Sequence, residues 1–250
     1  NKQSEEILLN LYRFRFLTRV QIQWLLNQKY YSRLVIWLDD LIKMKMVKQF
    51  YESKKIGVAA IYSLDNEGRK YLKALGKNKL VLDKIWREKQ FTNQFKYHCL
   101  AVADSFINLK KTVNKANSEL SFYTKNELIG LRGLPVPHPD AYFYIEEVNG
   151  QKKYYFLDVL DGFINKQKIK NRINLYLDYF DENIWQEMTG KIFPEIIFVV
   201  GDTSAYFFLK NYLRQILTDD EVNFYLISLT KMKYNGFNRQ TLNRVEMADD

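Results

Sequence analysis

The stretch Phe16–Leu75, FLTRVQIQWLLNQKYYSRLVIWLDDLIKMKMVKQFYESKKIGVAAIYSLDNEGRKYLKAL, decides how the rest of the chain is to be read. Thr18 is placed to cap a helix whose apolar residues Val20, Ile22, Leu25 and Leu26 fall mostly on one stripe. Gln21 stands three residues on, the spacing of a capping box. The polar break Asn27-Gln28-Lys29 leads to a second helix, expected from Tyr31 to Lys45, in which Leu34, Val35, Leu38, Leu41 and Ile42 recur at helical spacing. Met46–Tyr51 turns extended, and Ser53-Lys54-Lys55-Ile56-Gly57 is a turn carrying two cations. Val58–Leu64 then returns as the second arm of a hairpin. Asp65 caps a closing helix through Arg69, Tyr71, Leu72 and Leu75.

This succession of helix, turn, helix, hairpin and helix resembles a winged helix-turn-helix. The second hairpin arm and the start of the closing helix, I-Y-S-L-D-x-x-G-x-x-Y-L, form the more specific part of the likeness. A helix Ser4–Tyr12, with Ile7, Leu8 and Leu11, is expected to pack beneath it. The resemblance implies a recognition helix that presents its N-terminal residues to base edges in the major groove. Those residues are Lys29, Tyr30, Tyr31, Ser32 and Arg33, and Arg33 is the expected base reader, because a guanidinium can pair with both acceptors of guanine. Arg13, Arg15 and Arg19 are placed to touch backbone phosphates. Lys54 and Lys55 at the wing tip would meet a phosphate or the minor groove. For Tyr30 and Tyr31, plain packing is the competing role.

The charge distribution points the same way. The chain carries a net +9. Residues 1–75 hold 14 Lys/Arg against 7 Asp/Glu, and residues 76–135 hold 11 against 5. Residues 136–250 hold 13 against 17, so the positive excess lies on the segment that resembles a DNA reader. At 250 residues, with 47% apolar composition, the chain is long enough for one large domain or two ordinary ones, each with its own core. A single cysteine excludes an internal disulfide framework and a cysteine-rich zinc site. No run of about 18 apolar residues and no signal-peptide pattern is read, so a cytoplasmic protein without membrane contact is expected.

The second half changes its grammar. A long helix is expected over Thr92–Val113, then extended segments at Ser121–Thr124, Ala141–Ile145 and Tyr154–Leu160. The last two are joined through Asn149-Gly150, a strong hairpin signal. A helix at Ile164–Phe180, a strand at Ile196–Val200, a helix at Ser204–Leu217 and a strand at Val222–Leu229 complete a mixed sheet flanked by helices. The aromatic runs Tyr142-Phe143-Tyr144 and Tyr154-Tyr155-Phe156 must send half their rings into the core by strand alternation.

That order looks like the restriction-endonuclease-like nuclease fold, on the strength of Pro139-Asp140 opening one strand and Asp158 near the end of the next. Active members of that fold follow the first acid with an acid-x-lysine triplet. Two carboxylates hold magnesium and the lysine orients the attacking water. Here the triplet is Asp158-Val159-Leu160, with leucine where the lysine would be. Lys166 and Lys170 on the next helix are the replacements an active enzyme would need, and Glu119 or Glu127 a further acid. If the domain is a nuclease, its catalytic residues are Asp140, Asp158, Lys166 and Lys170, and Asp140 and Asp158 hold Mg2+. Otherwise no cofactor is expected.

The whole arrangement is similar to the replication-relaxation family of mobile-element proteins. The residues that carry the likeness are His98-Cys99-Leu100, Pro139-Asp140 and Phe156-Leu157-Asp158-Val159-Leu160-Asp161, and the likeness spans roughly residues 5–200. It departs in the acidic strand, where glutamate followed two positions on by aspartate is expected. The resemblance implies a DNA-binding accessory protein of a plasmid or conjugative element, acting in replication, relaxation or transfer. A magnesium-dependent nickase and a transcriptional regulator are the alternatives. The expected partners are double-stranded DNA, a second copy in a homodimer, and replication or transfer proteins. The expected domains are a winged helix at 1–76, a connecting segment at 77–90, an inactive restriction-endonuclease-like α/β domain at 91–230, and a polar tail at 231–250.

Overall fold

A computed structural model describes residues 1–51, 59–87, 92–162, 165–217, 221–238 and 240–246. The turn with Lys54 and Lys55 lies outside the described residues. The chain divides into two compact units, Asn1–Ile107 and Asn108–Asp250.

The first unit begins with α1 (Lys2–Phe14), β1 (Phe16–Thr18), α2 (Arg19–Leu25) and α3 (Tyr31–Lys43). It continues with β2 (Val47–Phe50), β3 (Ile61–Leu64), α4 (Asn66–Ala74), α5 (Lys79–Arg87) and the start of α6 (Asn93–Lys115). Its sheet has the order β1-β3-β2, antiparallel throughout, with Phe16 opposite Ser63 and Val47 opposite Leu64. The helices α2 and α3, the paired strands β2 and β3 and the closing helix α4 follow in the order that the sequence leads one to expect. The capping box forms as the spacing predicts. The Thr18 side chain accepts from the Gln21 amide at 3.2 Å, and the Gln21 side chain accepts from the Thr18 amide at 2.9 Å. Ile7, Leu8, Leu11, Leu34, Leu38 and Leu41 are buried, as the helical stripes of α1 and α3 require. Val20, expected on the buried stripe of α2, is instead 65% exposed.

Two features of this unit escape the sequence patterns. β1 is too short for an alternation to show, and it pairs only because Arg15, at φ 74, turns the chain out of α1. The unit also runs past residue 90, into α6. Cys99 and Leu100 bury against Phe16 and Ile61, so this part of α6 belongs to the core of the first unit. The Gln21 amide nitrogen donates to the Leu100 carbonyl at 2.9 Å and to Asp104 Oδ1 at 2.7 Å. The division therefore falls inside α6, not in the segment 77–90. Gln21→Ala removes both ties and half of the capping box, and is expected to cost about 1–3 kcal/mol. A fall in the urea midpoint checks it, and a loss below about 0.5 kcal/mol would mean that water replaces these bonds.

The second unit comprises β4 (Glu119–Thr124), β5 (Ala141–Glu146), β6 (Lys152–Leu160), α7 (Lys166–Asp181) and α8 (Ile184–Thr189). β7 (Glu195–Val200), α9 (Thr203–Ile216), β8 (Phe224–Ser228), α10 (Leu229–Asn235) and β9 (Asn243–Arg244) complete it. The sheet order is β4-β5-β6-β7-β8-β9. β5 runs antiparallel to both neighbours, while β6, β7 and β8 are parallel. Five strands in sequence order with only the second reversed make the mixed sheet expected from the order of elements. β7 is buried from Ile196 to Val200, the continuous apolar run of a strand covered on both faces. On one face Tyr142, Phe156, Ile196, Phe198, Phe224 and Leu226 pack with Ile169, Ile173 and Tyr176 of α7 and Leu209 and Leu213 of α9.

Within the segment expected as a polar tail, the described residues 231–238 and 240–246 are folded instead. α10 packs along β8 and β9 pairs with it, burying Met232, Phe237, Thr241 and Val245. Four buried positions scattered among polar ones give no periodic signal, which is why the sequence hides them. The aromatic runs of β5 and β6 are mainly core, with Phe143 and Phe156 fully buried and Phe143 stacked on Tyr155 at 4.7 Å.

Candidate functional site

In the first unit the expected DNA-facing residues separate into two groups. Lys29, Tyr30, Tyr31, Ser32 and Arg33 are exposed around the start of α3, while Leu34 and Leu38 beneath them are buried. Tyr30 has no side-chain cap to offer, so the first amides of α3 face outward without one. The cations here lie over rings: Arg33 is 5.6 Å from the Tyr30 centroid, Lys29 5.9 Å from it, and Arg19 4.4 Å from that of Tyr31. Each tyrosine thus faces a cation, Tyr30 at the surface and Tyr31 the half-buried Arg19, which gives these rings a use besides packing. Ile36, one turn beyond Arg33, is 58% exposed. Sequence reasoning misses it because it breaks the apolar stripe, and that break is the signal that marks it.

Arg15 is the correction. It is buried, at 7% exposed, and burial lowers its pKa to about 10. Its amide closes α1 on the Leu11 carbonyl, and its buried side chain lines a pocket with Phe16, Lys48 and Arg69 rather than standing out from the surface. Arg13 is half-buried, its guanidinium over Phe106 at 4.8 Å and Phe14 at 5.1 Å.

In the second unit, Asp140 and Asp158 do come together. Ala141 pairs with Leu157 in the antiparallel ladder, so Asp140 lies opposite Asp158 at its end, on the face covered by α7. The Asp140 amide donates to Asp158 Oδ1 at 3.3 Å and the Val159 amide to Asp140 Oδ2 at 2.9 Å. Both residues are buried, at 9% and 6% exposed. Arg172 and Tyr176, one turn apart on α7, reach down to them. Arg172 Nε donates to Asp158 Oδ2 at 2.6 Å and Nη2 to Oδ1 at 3.0 Å. The Tyr176 hydroxyl donates to Oδ2 at 2.7 Å. Lys125 Nζ stands 3.8 Å from Asp140 Oδ1. Burial is the largest single influence and pulls the Arg172 pKa down, but the charge and hydrogen bonds of Asp158 together with the neighbouring Asp140 hold the guanidinium above its ordinary value. Burial, and then the same charge, push the Tyr176 hydroxyl well above its usual range, so it stays a donor.

The lysines expected beside this pair are elsewhere. Lys166 lies over the Phe208 ring at 5.1 Å and Lys170 over Tyr212 at 4.9 Å, both turned to α9. Glu127 is occupied in accepting from the Thr124 amide and hydroxyl, and His138 Nδ1 is 3.0 Å from the Pro135 carbonyl. Among the described residues no group of three or more His, Cys, Asp or Glu is placed to hold a metal ion. Asp158 is a poor fit to magnesium, since Arg172, Tyr176 and the Asp140 amide take the positions it would need on both of its oxygens. Arg172 escapes sequence reasoning because an arginine four residues before a tyrosine on a helix is commonplace. Only the sheet register shows what lies beneath them.

A family model described as Replication-relaxation matches residues 8–196. No curated protein matches the chain. Among solved structures the chain is similar to restriction endonuclease FokI at 11% identity and a TM-score of 0.34, over 96% of this chain and 45% of that one. The chain thus spans less than half the length of that endonuclease. Among the described residues no helix is long and apolar enough to cross a membrane.

Proposed function

Because this chain belongs to the replication-relaxation family, we propose that it is a DNA-binding accessory protein of a plasmid or conjugative element, seating α3 in the major groove of duplex DNA. Membership supports a replication-related role; replication, relaxation or transfer is the step in which the DNA contact would be used. One observation carries the duplex-binding part. Lys29, Tyr30, Tyr31, Ser32 and Arg33 form an exposed polar and cationic end on a helix whose opposite stripe is buried. Arg33 would read guanine, and Ile36 would meet a thymine methyl one turn on. The basic excess of residues 1–75 supports a strong salt dependence. For the second unit, a second copy and replication or transfer proteins are the proposed partners, supported by the acidic balance of residues 136–250. The proposed compartment is the cytoplasm, where such DNA would be met.

Selection of bound duplexes from a random pool, with and without Mg2+, tests this reading. Enrichment of one motif is expected, with no nicks in either condition. Arg33→Ala is expected to weaken the selected site by about 1–3 kcal/mol and to leave binding to random duplex nearly unchanged. Equal loss on both would remove Arg33 from base reading, and a pool that emerges without enrichment would sink the proposal for duplex recognition.

A further inference from the structure

A carboxylate has two oxygens and about four lone-pair positions. At Asp158 all four are taken. Oδ1 accepts from Arg172 Nη2 and the Asp140 amide, and Oδ2 accepts from Arg172 Nε and the Tyr176 hydroxyl. Arg172 is similarly committed, since beyond the fork on Asp158 it donates from Nη1 to the Pro137 carbonyl and from Nη2 to the Tyr176 hydroxyl. The two side chains of the ion pair are only 13% and 8% exposed. A magnesium ion binds carboxylate oxygens at about 2.0–2.1 Å in near-octahedral geometry and keeps several waters. No such shell fits against oxygens already capped by a planar guanidinium at 2.6 and 3.0 Å.

We infer that Arg172 is a built-in cation, standing where a divalent ion would sit on Asp140 and Asp158, so that this pair latches α7 to the end of the β5–β6 ladder without a metal. The fork supplies directed charge that a metal would otherwise bring, and it ties three separate parts of the second unit: the segment at Pro137, the strand at Asp158 and the helix. Removing the guanidinium while keeping both carboxylates leaves two neighbouring acids in a site large enough for a cation, and such a pair recruits a divalent ion.

The test uses the full chain and Mn2+, followed by the electron paramagnetic resonance of the free ion and by thermal melting. The wild type is expected to take up no more Mn2+ than Asp158→Asn does, and its melting temperature is expected to be the same in EDTA and in millimolar Mn2+. Arg172→Ala is expected to melt lower, to bind Mn2+ at least tenfold more tightly than the wild type, and to regain part of the lost melting temperature in its presence. Arg172→Ala combined with Asp158→Asn should lose that response. If Arg172→Ala does not fold, Arg172→Lys, which keeps the charge and loses the fork, should still fold with a lowered melting temperature and no Mn2+ response. Saturable Mn2+ binding by the wild type that Asp158→Asn abolishes overturns the inference. So does an Arg172→Ala protein that melts like the wild type, or that folds and ignores Mn2+.

Discussion

Asp158→Ala is expected to destabilise the second unit by about 3–5 kcal/mol, because it leaves the Arg172 guanidinium buried without its counter-charge. The loss also strips an acceptor from the Tyr176 hydroxyl, which is fully buried, and from the Asp140 amide. The informative comparison is a double variant. A buried ion pair is weak evidence of net stability, since desolvation offsets most of the attraction, and replacing both partners by apolar residues of similar size is often nearly neutral. Asp158→Leu with Arg172→Met is therefore expected to be more stable than either single change. Urea unfolding followed through Trp185 reads this unit, since Trp185 packs on Phe156 at 5.4 Å and the other three tryptophans belong to the first unit. A single-variant loss below about 1 kcal/mol would show that water enters and solvates the stranded arginine.

Gly68→Ala is expected to invert the ordinary rule for helices. Within a helix, alanine in place of glycine usually stabilises by about 1 kcal/mol. Gly68 lies inside α4, yet a Cβ there would stand 2.2 Å from the Met46 carbonyl oxygen and 3.3 Å from Leu8 Cδ2. The obstacle is backbone, and that carbonyl is held in place by the Asp65 amide at 2.9 Å. Relief would have to separate α4 from the start of β2, so a loss of about 3 kcal/mol or more is expected. Because β2 leads towards the hairpin of the first unit, duplex affinity should fall along with the melting temperature. A melting temperature equal to or above the wild type would mean that α4 and β2 are not in this close approach. The glycine of I-Y-S-L-D-x-x-G-x-x-Y-L thus has a steric cause: helix and strand meet where only a hydrogen fits.

These effects also separate the features legible in the chain from those hidden in it. Strands β4 to β8 and helices α7 and α9 are read from apolar runs, alternation and the Asn149-Gly150 turn, all of them local in sequence. The pairing of Asp140 with Asp158 is also within reach, because a hairpin fixes its own register. Arg172 is not, since its partner lies across a helix connection and only packing brings the two together. The same holds for Gln21, legible as a cap, whose bonds to Leu100 and Asp104 span about eighty residues. Arg15 marks the opposite failure. Three arginines close together look alike as charges, and the turn after α1 alone sends one of them into the core.

By itself the sequence determined the order of the longer elements, the basic N-terminal and acidic C-terminal balance, the cap at Thr18 and the apolar stripe beneath α3. These depend on spacing, propensity and charge, which act over a few residues or over a simple sum. Tertiary structure alone decided which cations face outward, where the first unit ends within α6, and what Asp158 binds. Those outcomes depend on which distant side chains share one small, dry volume, and there a buried carboxylate must find a donor whatever its neighbours in sequence.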